Sequence, residues 1–122
     1  MPTTKKKSPD RSLALAAAAA AAEKKGEDIV LLSVGRLSSL ADYLLIVSAT
    51  SPAHLEALED KIEQSFKTRG IYALHRDGKQ SDTWRVLDYG GLMIHLMRPE
   101  AREFYGIERL FRGARSLRLQ DA

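Results

Sequence analysis

A chain of 122 residues, net charge +3 and isoelectric point near 9.3, can bury one core but not two, and it reads as a single domain with tails. It contains no cysteine, which excludes disulfides and thiolate chemistry and fits a reducing compartment. The positive balance belongs to the ends. Residues 27 to 108 carry nine basic against thirteen acidic side chains, so the body is a poor platform for phosphate and a better match for a basic protein.

Lys5-Lys6-Lys7 followed by the alanine-rich run Leu13 to Ala22 has the outline of a secretory leader, but alanine is weakly hydrophobic and Pro9 and Asp10 interrupt the approach. A helix accounts for the same letters better. Ser8 is its N-cap, Pro9 its first position, Asp10 sits near the positive end of the dipole, and Lys24, Lys25 and Gly26 mark the stop. Residues 1–8 are then a basic N-terminal tail. No segment has the length and apolarity to span a bilayer, and a cytoplasmic location is expected.

Asp28 to Val34 and Tyr43 to Ala49 are dense apolar runs rich in β-branched residues, which predicts strands covered on both faces near the centre of a sheet. Ser51-Pro52 opens a second helix with Leu55, Leu58, Ile62 and Phe66 on one side and Glu56, Glu59, Asp60 and Glu63 on the other, ending at Arg69-Gly70. Ile71 to Leu74 reads as a third strand and Arg76 to Asp82 as a polar loop. Two further strands meet at Gly90-Gly91, and Pro99 starts a last helix with Phe104, Ile107 and Phe111 at helical spacing before Gly113. Residues 114–122 read as a mobile basic tail, leaving 9–113 as the domain. The expected fold is α/β, a mixed five-stranded sheet flanked by helices.

A two-residue turn at Gly90-Gly91 fixes the register of its hairpin: Tyr89 opposite Leu92, Leu87 opposite Ile94, Arg85 opposite Leu96. That face reads as core. The other carries Trp84, Val86, Asp88, Met93, His95 and Met97, a mixture suited to a binding surface. Trp84 is either a core aromatic or an exposed anchor, and Asp88 either steadies the turn or offers charge to a partner. His95, in mid-strand, reads first as a hydrogen-bonded structural histidine. Met93 and Met97 are packing residues or parts of an adaptable interface. Arg112, Arg115 and Arg118 recur every three residues, in reach of RNA phosphate or as a solubilising tail.

The motifs of common chemistries are absent together. There is no Asp-x-Asp or equivalent carboxylate pair for two-metal phosphoryl transfer, no glycine-rich phosphate loop and no metalloprotease helix, and His54, His75 and His95 lack ligand spacing. No metal, cofactor or catalytic residue is assigned.

The residues resemble those of the ribosomal silencing factors, the Iojap family. The likeness rests on Glu27-Asp-Ile-Val30, Ala41-Asp-Tyr43, Asp77-Gly78, Trp84-x-x-x-Asp88-x-Gly90, His95, Arg102-Glu-Phe-Tyr105 and Ile107-Glu-Arg-Leu-Phe111, and it covers residues 12 to 113. It implies a sheet related to nucleotidyltransferases without their catalytic carboxylates. It also implies a translational repressor that binds the large ribosomal subunit, through a basic protein on its intersubunit face, and blocks joining of the small subunit. By the resemblance the partner-binding residues are Trp84 and Asp77, to which the hairpin face adds Asp88, Met93, His95 and Met97. Contact with rRNA would come through the basic tails, and a homodimer is expected when no partner is present. Gly91 stands where the family usually has Asp, Asp77 where it has Glu, and Phe111 where it often has Trp. The competing reading is a residual nucleotidyltransferase that binds nucleotides.

Overall fold

The computed structural model of the protein describes residues 11–39 and 41–119, so the expected cap at Ser8, Pro9 and Asp10 and the tail 1–8 lie outside the described residues. Helix α1 is described from Arg11 to Glu23 and buries Ala14, Leu15, Ala17, Ala18, Ala20 and Ala21, small side chains that let it lie close against its neighbours. Its stop differs from the expectation in one detail. Lys25 takes the left-handed turn (φ 60°), its N–H donating to the Ala22 carbonyl and that of Gly26 to the Ala21 carbonyl, each at 2.9 Å, the paired bonds that close a helix end. Gly26 serves close packing instead, because a Cβ there would run into Val47.

Strand β1 (Glu27–Ser33) pairs antiparallel with β2 (Tyr43–Ser48), with a bulge between Glu27 and Val30. Helix α2 (Pro52–Lys67) follows, capped by Ser51, whose Oγ accepts from the His54 N–H. Strands β3 (His75–Asp77), β4 (Trp84–Asp88) and β5 (Leu92–Met97) come next, then α3 (Pro99–Tyr105), α4 (Ile107–Leu110) and β6 (Arg115–Ser116). The sheet order is β3-β4-β5-β2-β1-β6, with β5 parallel to β2 and every other pair antiparallel.

Among the described residues the mixed sheet thus has six strands, not five. Arg115 and Ser116, expected in a tail, pair with Ser33 and Leu32, and Leu117 is buried with its N–H on the Leu31 carbonyl. The third strand is His75–Asp77 rather than Ile71 to Leu74. Strand β4 ends at Asp88, opposite His75, so beyond one bond from the Leu74 N–H to the Asp88 carbonyl residues 71–74 have no ladder to join, and Ile71 and Ala73 pack on the core while Tyr72 and Leu74 face solvent. The last helix is two, broken where Gly106 adopts φ 54°.

Two apolar layers sandwich the sheet. Helices α1 and α2 cover one face over Leu31, Leu45, Val47, Leu87, Leu92, Ile94 and Leu96. The α3–α4 segment covers part of the other, where Ala101, Ile107 and Phe111 meet Leu32, Leu44, Ile46 and Met97. The second layer stops at Trp84 and Met93, which are only half-buried, and the β3–β4 edge beyond them is open.

Candidate functional site

The hairpin has the register expected of its turn. Arg85 faces Leu96, Leu87 faces Ile94 and the Tyr89 N–H donates to the Leu92 carbonyl, so Trp84, Val86, Asp88, Met93, His95 and Met97 share the outer face. Strand β3 extends that face, setting His75 beside Asp88 and Asp77 beside Val86. The structure therefore brings Asp77 onto the same surface as Trp84, as an exposed carboxylate on the edge strand.

Trp84 is held from several sides. Its indole N–H donates to His95 Nδ1 at 3.0 Å, and its ring lies 4.7 Å from that of Tyr105 at the end of α3. Burial pushes the His95 imidazole down from 6.5 to about 4, so it is neutral at physiological pH and free to accept the indole proton donor. The backbone N–H groups of Thr83 and Trp84 both donate to Ser81 Oγ at 3.1 Å, and Gly78 (φ 72°) lets the preceding loop pass against the Trp84 carbonyl, where a Cβ would collide.

On the inner face, Arg85 secures this loop from beneath. Its Nε donates to the Ser81 carbonyl at 3.0 Å, and its Nη1 to Glu56 and Glu59 at 2.9 and 3.0 Å. Burial works against the guanidinium charge, yet the hydrogen bonds it donates to Glu56 and Glu59 hold it above its ordinary range. Glu59 is 3% exposed and so does not belong to the solvated side of α2 as the sequence suggested. A signal was present: Glu59 lies four residues after Leu55 and three before Ile62, on the apolar stripe, and Arg85 at a core position needs a buried counter-ion.

The other candidate residues separate by burial. Asp88 is half-buried, and its Oδ1 accepts from the Gly90 N–H at 2.8 Å, which steadies the turn. Met93 is half-exposed beside it. Met97 is fully buried, packed beneath the second apolar layer, so it supports the face and presents nothing to a partner. Sequence reasoning left out of the site two aromatics that the structure adds: Tyr105, 54% exposed against Trp84, and Phe104, 76% exposed and edge-on to Tyr105 at 4.9 Å. Both stand in the Arg102-to-Tyr105 motif, and Arg102 fixes that segment by a bidentate pair with Glu108 and a bond to Ser48 Oγ. His54 is remote, bridging the Thr50 N–H and the Lys24 carbonyl. Among the described residues no three His, Cys, Asp or Glu side chains converge to hold a metal.

Trp84, Tyr105 and Phe104 thus form a continuous aromatic group on this face, with Asp77 on the edge strand and Asp88 farther along β4; in interfaces, rigid aromatics supply holding energy and carboxylates orientation. Residues 5–122 match the family model described as "Ribosomal silencing factor during starvation". The chain is 34% identical to the ribosomal silencing factor RsfS of Haemophilus influenzae over 71% of its own length and 85% of that protein. It is 35% identical to the mouse protein named mitochondrial assembly of ribosomal large subunit protein 1, over 73% of this chain and 40% of that one. A crystallised protein of Chromobacterium violaceum superposes with a TM-score of 0.81 at 27% identity, over 85% of this chain and 87% of that one.

Proposed function

Because the chain belongs to the ribosomal silencing factor family, we propose that it is a translational repressor that docks on the large ribosomal subunit through the Trp84 surface and keeps the small subunit from joining. The observation that carries this reading is Trp84 itself, an indole held half-exposed by His95 and Tyr105 at the margin of the outer sheet face that α3 and α4 only partly cover. An anchor so fixed loses little side-chain entropy on binding, and aromatics of this kind dominate interface energies. Asp77 and Asp88 on the same sheet face favour a basic protein of the intersubunit face as the immediate partner, and the name of the mouse relative points to the same subunit. The domain works as a binding module in the cytoplasm and not as an enzyme, on a sheet related to nucleotidyltransferases. Without ribosomal subunits the same apolar surface is open to a second copy.

Sedimentation of the protein with purified large subunits tests the assignment. Trp84→Glu should abolish co-sedimentation and restore subunit joining in a reconstituted translation assay, while its circular dichroism stays that of the parent. A Trp84→Glu protein that sediments as the parent does would overturn the assignment.

A further inference from the structure

Strand β6 returns the C-terminal segment to the β1 edge, and this return places three arginines from distant parts of the chain around one concavity of about 900 Å³. Arg11 comes from the start of α1, Arg36 from the turn after β1 and Arg115 from β6, and all three are exposed. Among the described residues lining the groove, Asp42 alone is acidic, and Arg36 and Arg115 outnumber it without counting Arg11. Gly35 and Gly113 leave two lining positions without side chains, where a chain can lie against the backbone. Arg11 and Arg115 come from the two basic ends of the sequence and Arg36 from the acidic body between them, and the fold gathers all three at one site.

This groove is on the far side of the sheet from Trp84. Four interstrand steps separate β4 from β6, about 19 Å at ~4.8 Å per step. Trp84 also lies at the Met97 end of the strands and the groove at the Tyr43 end, so the two sites are roughly 25 Å apart. One end of the molecule is aromatic and acidic, the other cationic.

We propose that the groove binds the phosphodiester backbone of ribosomal RNA, a second contact to the subunit that the Trp84 surface engages through protein. The proposal rests on the reading of the domain as a large-subunit binder. Its chemistry favours a polymer over a free anion. The guanidinium groups are exposed and come from three separate segments, so a lone phosphate would keep much of its hydration and gain little, whereas successive phosphates can meet several arginines and release counterions at each.

The test is the salt dependence of binding to purified large subunits, measured by fluorescence anisotropy between 50 and 200 mM KCl, for the parent, Arg36→Gln/Arg115→Gln and Trp84→Glu. Each lost phosphate contact lowers the slope of log K against log salt by about 0.7–0.9, so the double variant should lose roughly 7- to 12-fold less affinity than the parent across that range. It should also bind a 16-base-pair RNA duplex more weakly at 50 mM, with its urea midpoint unchanged. If the double variant keeps the parent's salt dependence while Trp84→Glu abolishes binding, the groove proposal fails and the docking reading stands. If the double variant behaves as expected while Trp84→Glu binds normally, the groove stands and the Trp84 reading fails. Saturable binding of inorganic phosphate that the double variant loses, with RNA binding unchanged, would make this a small-anion site and overturn the proposal.

Discussion

Acidification should loosen this domain through His95. The imidazole titrates at about 4 in the folded chain, against an ordinary 6.5, because burial disfavours its cation. The folded value lies below the unfolded one, so the stabilisation from a neutral imidazole is complete above about pH 6.5 and is lost as the pH falls towards 4. Across that window the unfolded chain binds a proton that the native state refuses. Between pH 7 and 5 the loss is about 1.8 kcal/mol, and by pH 4 about 2.8 kcal/mol, after which this contribution levels off. Only as the pH reaches about 4 does the native imidazole itself take the proton on Nδ1, which then removes the acceptor for the Trp84 indole N–H. The chain's single tryptophan reports the transition directly, through urea unfolding followed by its fluorescence at pH 7, 6 and 5. His95→Gln retains an acceptor for the indole and has no titration, while the carboxylates and the other histidines contribute equally to both proteins. The parent should therefore lose about 1.8 kcal/mol more than His95→Gln between pH 7 and 5. Equal losses in the two proteins would refute the assignment of a buried neutral histidine.

Three further outcomes follow from named contacts. Tyr105→Ala removes an exposed ring that packs on Trp84, and should weaken large-subunit binding about tenfold while changing the urea stability by less than about 1 kcal/mol. Gly78→Ala places a Cβ against the Trp84 carbonyl at a left-handed φ, and should cost about 2 kcal/mol or more and shift the Trp84 emission. Glu59→Ala leaves the buried Arg85 with the more exposed Glu56 as its one remaining carboxylate, and should cost about 2–3 kcal/mol in urea unfolding, short of the 3–5 kcal/mol of a fully stranded charge.

The hairpin and strand β2 were legible because local chemistry decides them, whereas β1, expected to be equally central, lies next to the two-residue edge strand β6 with its first four residues exposed or half-buried. A two-glycine turn sets the register, and continuous β-branched runs demand cover on both faces. Elements fixed by distant partners were not. Residues 71–74 have the composition of a strand, but the end of β4 decides where pairing begins, and nothing within those four residues records it. Arg115 and Ser116 look like tail, and become strand only because the β1 edge is free to receive them. Gly106 was visible inside the last helical pattern, yet whether it bends, breaks or continues the helix depends on the Arg102–Glu108 clamp that spans it. In the site, alternation placed Trp84 and Asp88 on one face, but alternation carries no depth. Met97 has the same parity as Met93 and is fully buried, because α3 packs over its end of the strand.

Strand β4 joins the two faces in a way that gives the buried ion pair a purpose beyond stability. Trp84 points outward and Arg85 inward, and the Arg85 Nε holds the carbonyl of Ser81, whose hydroxyl accepts the N–H groups of Thr83 and Trp84. Placing a guanidinium beneath a sheet is costly, and an apolar pair of similar volume is often as stable. An apolar pair, however, cannot grip a carbonyl. If stability were the reason for Arg85, Glu59→Leu with Arg85→Met would restore both the urea midpoint and subunit binding. If the pair positions the loop that delivers Trp84, the double variant should recover its midpoint and still bind poorly. The geometry supports the second outcome, since Ser81 is reached by Arg85 from the core side and by Trp84 from the solvent side, and loses only the first when the guanidinium is replaced.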